Sequence, residues 1–326
     1  MKRIYNTIGF LIAILIFGWV VSRVFQDVNP LQLISDVGIA NLATNLLIGI
    51  VYFFSFGYLM RVVYSHHYKQ SITWTDTFLL PFMMHLWTYI LPAKGGLIYQ
   101  TFFVKAKYQI DMSKGFSVGV LVFAASLLIT CLVGGVLSFQ LLDVLALQLL
   151  LIAMFGTLVF FLVAGQLVKE PSIVKPGIIH ALIRFVQNVL IQFRDQTKDS
   201  KLLGKVVAVT VVSTGIHSVW FYHSAVILGY DPDPIGIVLA TLVLRIITLV
   251  RVVPGNLGVQ EIMTGSVFLA AGLGLDEGLM TGLLIRLMSV LLAGTFGAAG
   301  LYSNFRYFGT DSLKSLFFKL NSSKQS

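Results

Sequence analysis

The sequence predicts an all-α polytopic membrane protein: six spanning helices plus two oppositely oriented broken or re-entrant hairpins, forming an inverted repeat. Three observations lead there. The 326-residue chain is 57% hydrophobic and only 11% charged, where soluble domains carry about 25% charged residues. Several of its apolar runs reach the roughly 20 residues needed to cross a bilayer core. Two further apolar runs are interrupted by turns containing proline and glycine.

The predicted spans are 4–22, 40–62, 115–139, 144–168, 206–228 and 279–301. The first follows Lys2 and Arg3 as a signal peptide would, but no small-x-small cleavage site comes after it, so a retained anchor is expected. The interrupted runs are 77–103, broken at Pro92-Ala-Lys-Gly-Gly, and 235–275, broken at Pro254-Gly. The chain therefore divides into a first membrane half, 1–168, and a basic amphipathic connector, 169–205. A second half, 206–303, and a tail, 304–326, follow.

Charge sets the expected orientation. Segments 1–3, 61–72, 105–114, 169–205 and 304–326 hold 18 of the 23 Lys and Arg residues. The other loops carry Asp27, Asp36, Asp143, Asp231, Asp233, Asp276 and Glu277, with Arg23 their only base. The positive-inside rule puts the basic segments and both termini in the cytoplasm. Parity then makes 77–103 a hairpin entering from inside and 235–275 one entering from outside. Two Pro/Gly-interrupted segments at corresponding places in two halves are the sequence sign of an inverted-repeat transporter. Aligned on their prolines, YILPAKGGL lies over RVVPGNLGV, with Gly96 over Gly258. Leu97 to Lys105 is too short to span, so the first hairpin reads as re-entrant. The arms of the second are long enough that a pair of spans remains open.

Between the halves, 177–195 repeats apolar residues at helical spacing and predicts an amphipathic helix at the cytoplasmic interface. The tail segment 311–320 reads as a shorter one.

The broken turns are where chemistry is expected. A helix beginning near Asn256 would present free N–H groups and a positive dipole end to an anion. Arg251 sits beside that apex, and Lys94 holds the equivalent place in the first hairpin. Arg245, Arg251, Glu261 and Arg286 all fall inside apolar regions, where each charge costs about 2.5–3.5 kcal/mol on insertion scales. Three arginines against one glutamate leave a positive excess that an anionic ligand would offset. The structural alternatives are a Pro-Gly kink that lets helices pack, and snorkelling of Arg245 or Arg251 to an interface. Asp76 reads as a solvated helix cap, and His85, His217 and His223 as hydrogen-bonded core histidines.

Other classes find no support. Cys131 is the only cysteine, so neither a disulfide framework nor a cysteine metal site is expected. Walker A, HExxH and CxxC patterns are missing, and neither a cofactor nor a metal is expected. The net charge of +9 lies in membrane-flanking loops rather than in a nucleic-acid patch.

PGNLGVQE (254–261), followed by LLIRLMSVLLAGTFGAAG (283–300), resembles the transmembrane region of the lysylphosphatidylglycerol synthetase family. ILPAKGGLIYQ (90–100) is similar to that family's first broken motif. The resemblance implies a flippase-like membrane region, in a cytoplasmic (inner) membrane. In the best-known members a separate soluble domain makes the aminoacylated lipid. This sequence ends at Ser326, after the membrane region, so aminoacyl transfer is not implied. Pro254, Gly255, Gly258, Glu261 and Arg286 match family positions. Asn256 stands where Gly is usual, and Leu97 and Gln100 replace the Glu and Arg of a Gly-Glu-x-x-Arg motif. That loss speaks against a cationic headgroup.

The expected function is translocation of a membrane lipid with an anionic headgroup, or a polyprenyl-linked substrate. The expected binding residues are Arg245, Arg251, Pro254, Gly255, Asn256, Gly258, Glu261 and Arg286, with Lys94 and Gly96 from the first hairpin. A second reading is a non-transporting accessory subunit for a glycosyltransferase or lipid-synthesis enzyme, docking through 169–205. A third is an intramembrane lipid-modifying enzyme using Glu261 with a histidine.

Overall fold

A computed structural model describes residues 37–90, 95–141, 155–156, 178–247, 259–269 and 272–304. Among these residues the chain is helical, with no strand. Helix α1 (Ile39–His67) leads to a pair of shorter helices, α2 (Trp74–Ile90) and α3 (Gly95–Tyr108), and then to α4 (Met112–Leu141). Helix α5 (Ile178–Lys198) connects to α6 (Ser200–Ile227). A second short pair follows, α7 (Pro234–Ile247) and α8 (Val259–Phe268), and then α9 (Leu275–Leu292). Helix α9 continues through a π-helical turn, Ala293–Gly297, to Asn304.

Four helices are long and apolar enough to cross a membrane: 39–67, 112–137, 200–227 and 275–304. They correspond to four of the six predicted spans; 4–22 and 144–168 fall almost wholly outside the described residues. The predicted interruptions at Pro92-Ala-Lys-Gly-Gly and Pro254-Gly fall largely or wholly outside the described residues, which resume with α3 at Gly95 and with α8 at Val259. The described arms have 17, 14, 14 and 10 residues.

Local chemistry ends these helices where the sequence allows it. At the end of α6, Gly229 (φ 84°) closes the last turn as Tyr230 N donates to Ala225 O at 3.1 Å. Gly272 (φ 76°) does the same after α8, where Leu273 N donates to Phe268 O at 3.2 Å. Both are left-handed helix closures that favour glycine. Asp199 caps α6, its side chain accepting from Leu202 N at 3.0 Å.

The order of a long helix, a short pair and a long helix occurs twice. Helix α1 packs along α6, α2 packs on the π-helical end of α9, and α7 packs on α4. Within each half the returning short arm lies against the next long helix through glycines. Gly115 faces Val104 and Thr101, and Gly278 faces Gly265 and Phe268. Such close helix contact is what small residues permit.

The two ends of the bundle differ in charge. One end gathers the end of α1, the open end of the α2–α3 pair and the starts of α4 and α6. Among the described residues it holds every Lys and Arg except Arg245 and Arg286. The other end carries Asp231, Asp233, Asp276 and Glu277, with no described Lys or Arg. Helix α5 lies against α4 and α6 toward the basic end. It buries Val189, Phe193 and Gln196, while Ile183 and Val186 stay exposed.

Asp76 departs from the expected solvated cap. It is 1% exposed and ion-paired to Lys107 Nζ at 2.7 Å. Tyr108 Oη donates to the same carboxylate oxygen, Oδ2. Lys107 also donates to Asn304 Oδ1 at 2.7 Å. The cap role passes to Thr73, whose Oγ1 accepts from Asp76 N at 3.2 Å. The carboxylate is thus drawn inward, where it ties both arms of the first pair to the last turn of α9.

Candidate functional site

Both short pairs converge on Arg286, near the middle of α9. Arg286 is 4% exposed and forms an ion pair with Glu261 of α8, itself 1% exposed. Arg286 Nη2 also donates to Gln260 Oε1 at 3.2 Å. Its guanidinium lies 5.8 Å from the ring centroid of Tyr89, near the end of α2 in the other pair. Tyr89 in turn shares a hydrogen bond with His85 Nε2 at 3.1 Å. One buried cation therefore joins the return arm of the second pair to the inward arm of the first.

This arrangement has a sequence origin. Gln260 and Glu261 fall in the first turn of α8, directly after the Pro-Gly interruption, so both reach the bundle interior beside the break. Helices α8 and α9 run antiparallel and close: a Cβ on Gly278 would lie 2.8 Å from Gly265 Cα, and one on Gly282 would lie 3.0 Å from Thr264 Cβ. That approach sets Arg286 opposite Glu261.

A cavity of about 310 Å³ opens beside the pair. It takes wall residues from α1, α2, α3, α4, α6, α7, α8 and α9, and so lies between the two halves. Its wall from each long helix comes from near the helix middle, including Phe56, Val122, Ser213 and Ser289. Two arginines, Arg245 and Arg286, line it. Among the described lining residues there is no Asp or Glu, and Glu261 pairs with Arg286.

Its aromatic walls are held in place. The rings of Tyr52 and His217 stack with centroids 4.4 Å apart, and Phe221 meets His217 edge-on at 5.0 Å. Trp220 Nε1 donates to Asn45 Oδ1 at 2.8 Å, while Asn45 Nδ2 donates to Ser224 Oγ at 2.8 Å. Gly49 lets α1 approach: a Cβ there would lie 2.7 Å from the Trp220 ring.

Of the residues singled out in the sequence, Arg245, Arg286 and Gly96 line this cavity, and Glu261 pairs with Arg286. Gly96 is a packing position, since a Cβ there would press on Met84 O and Thr88. Arg251, Pro254, Gly255, Asn256, Gly258 and Lys94 lie outside the described residues. His85 and His217, expected as core histidines, line the cavity, whereas His223 lies beside Asn45, 3.3 Å from its Nδ2. Gln260, Gln100, Tyr52 and Tyr89 were not foreseen. Gln100 donates to Tyr64 Oη at 2.9 Å; a glutamine inside an apolar run was the available signal for it and for Gln260.

Fold and geometry together define a helical membrane protein with a buried Arg286–Glu261 ion pair beside a cavity between its two halves. The family model described as "Lysylphosphatidylglycerol synthase TM region" matches residues 6–297, and the chain belongs to that family. A search of curated proteins finds no match.

Proposed function

We propose that the chain is a translocase that carries a lipid with an anionic headgroup, or a polyprenyl-linked substrate, across the cytoplasmic membrane. The observation that carries this reading is the mid-bundle cavity lined by Arg245 and Arg286 and touched by both broken pairs. An arginine in the membrane interior faces a cavity or a partner. Here two arginines line one cavity, and Glu261 pairs with Arg286.

The inverted repeat belongs to the same reading. Exchanging α1–α4 for α6–α9 maps the main helix contacts onto one another: α2 on α9 becomes α7 on α4, and α1 on α6 maps onto itself. The pairs start from opposite ends of the bundle, one basic and one acidic. In inverted-repeat transporters the substrate site lies near the midplane where the repeats meet, and access alternates by rocking of one repeat against the other. Movement is downhill or ion-coupled, with the basic end cytoplasmic. The family description names the membrane region of a phospholipid-modifying synthase, which agrees with a lipid substrate.

Leaflet exchange of labelled anionic lipids in liposomes tests the proposal, with wild type beside Arg286→Ala and Glu261→Gln. Exchange that needs both residues is the expected result. Cellular function that survives Arg286→Ala but needs Arg184, Arg194 and Lys198 of α5 would instead fit the accessory-subunit reading.

A further inference from the structure

We propose a phospholipid site on the outer face of the seam between α1 and α2, separate from the mid-bundle cavity, in which Arg61 holds the phosphate and the rings of Phe54, Tyr58 and Trp74 carry an acyl chain.

Helical spacing builds the apolar track. Leu47, Val51, Phe54, Tyr58 and Arg61 follow one another at steps of four and three residues, so they share one stripe of α1. Leu47, Val51 and Tyr58 are exposed on a helix long and apolar enough to cross a membrane, and there the stripe meets acyl chains rather than water. From Val51 to Arg61 the helix rises about 15 Å, one leaflet's share of a hydrocarbon core of about 30 Å. The track ends on an arginine near the basic end of the bundle, at the depth where a phosphate layer begins.

Helix α2 completes the site. Trp74, its first residue, is 58% exposed and lies parallel to Tyr58, with 7° between the ring planes and centroids 6.3 Å apart. The Phe54 ring stands 6.5 Å from both and within 28° of their planes. Gly57 permits this approach, since a Cβ there would press on the Thr77 carbonyl.

The guanidinium is set in advance of any ligand. It lies 4.0 Å from the Trp74 ring centroid, and its Nη1 donates to Ile72 O. That bond uses one of five N–H donors, and the fork formed by the others matches phosphate oxygens. Asp76, the nearest acid along the chain, is engaged by Lys107 and Tyr108. Tryptophan at a membrane interface is a general anchor; the arginine fixed on its face is what makes this one a site.

Quenching of tryptophan fluorescence in the purified full chain in detergent tests the proposal. The probes are phosphatidylglycerol and diacylglycerol brominated in their acyl chains, with soluble glycerol phosphate as a competitor. Comparison with Trp74→Phe, a change at an exposed position, isolates the share of the signal that belongs to Trp74. Trp220, which lines the cavity, is kept in both proteins, so lipid bound there cancels in the difference. The Trp74 share should respond to the phospholipid at about tenfold lower concentration than to diacylglycerol, because only the phospholipid gives Arg61 an anionic acceptor. Arg61→Gln should abolish that preference, and Arg61→Lys, which keeps the charge but loses the fork, should restore part of it. Equal quenching by both lipids in the wild type overturns the phosphate site and leaves an ordinary apolar belt. Quenching by neither shows that protein covers the stripe, and also overturns the proposal. Glycerol phosphate that displaces the lipid at the lipid's own binding concentration would mark a soluble phosphate as the ligand, overturning the lipid source.

Discussion

Glu261 and Arg286 form an ion pair buried from solvent on two adjacent helices, and Tyr89 of the opposite half covers the arginine. Two ions removed from water at mid-bundle are costly, and the pair persists because each offsets the other's desolvation. Removing one partner should therefore cost more than removing both. Glu261→Gln and Arg286→Ala are each expected to destabilise the protein by about 3–5 kcal/mol, and the double variant by less than their sum. Thermal unfolding of the four proteins in one detergent checks this. Additive losses would mean that the two charges are stabilised independently.

The Asp76–Lys107 pair should behave as a brace rather than as a binding element. Asp76→Asn leaves Lys107, only 16% exposed, without its counter-charge, and is expected to cost about 3–5 kcal/mol. Asn304→Ala removes one hydrogen bond to the same ammonium, a loss of about 1.5–3 kcal/mol. Binding of anionic lipid, measured below the melting temperature, should change little in either variant, because neither residue lines the cavity.

Glycine substitutions should separate packing from propensity. A Cβ on Gly57 would press on the Thr77 carbonyl and lie 2.8 Å from Pro81, so Gly57→Ala must drive α1 from α2 at about 1–3 kcal/mol. Gly204 in α6 has nothing within 4 Å of such a Cβ. Gly204→Ala should be neutral or stabilise by up to about 1 kcal/mol through helix propensity. Opposite shifts in melting temperature are the expected outcome.

Asp199 gives an acid-side dependence. Leu202 N–H, first, and His66, at 3.0 Å, hold its carboxyl below the usual carboxylate range. A carboxyl lowered in the folded state contributes stability above its unfolded value, near 3.9. That stability is lost as pH falls through the folded value. Wild type should lose melting temperature on acidification below about pH 4, and Asp199→Asn should lose less over the same window. Identical acid profiles would show that the cap does not titrate with folding.

Much of the architecture was legible because its causes are local. An apolar run of helical length needs no distant partner to be recognised, and α1, α4, α6 and α9 follow directly from such runs. Proline and glycine halt helices through their own backbones, so separate helices on either side of 91–94 and of 248–258 were readable too. The unusual charges Arg245, Glu261 and Arg286 stood out against apolar neighbours, because bilayer insertion makes such residues rare.

The sequence by itself thus determined a helical membrane protein, the two interruptions and the charged residues worth attention. Only the tertiary structure decided which of them share a space. Arg286 meets Glu261 because glycines bring α8 and α9 together, and Tyr89 reaches it from a helix that the chain forms far earlier. Asp76 turned inward for the same kind of reason: Lys107 and Asn304 arrive from two other helices and offset its burial. Hydropathy is a property of each segment. A cavity belongs to the surfaces that several segments turn toward one another, and no single segment's period records it.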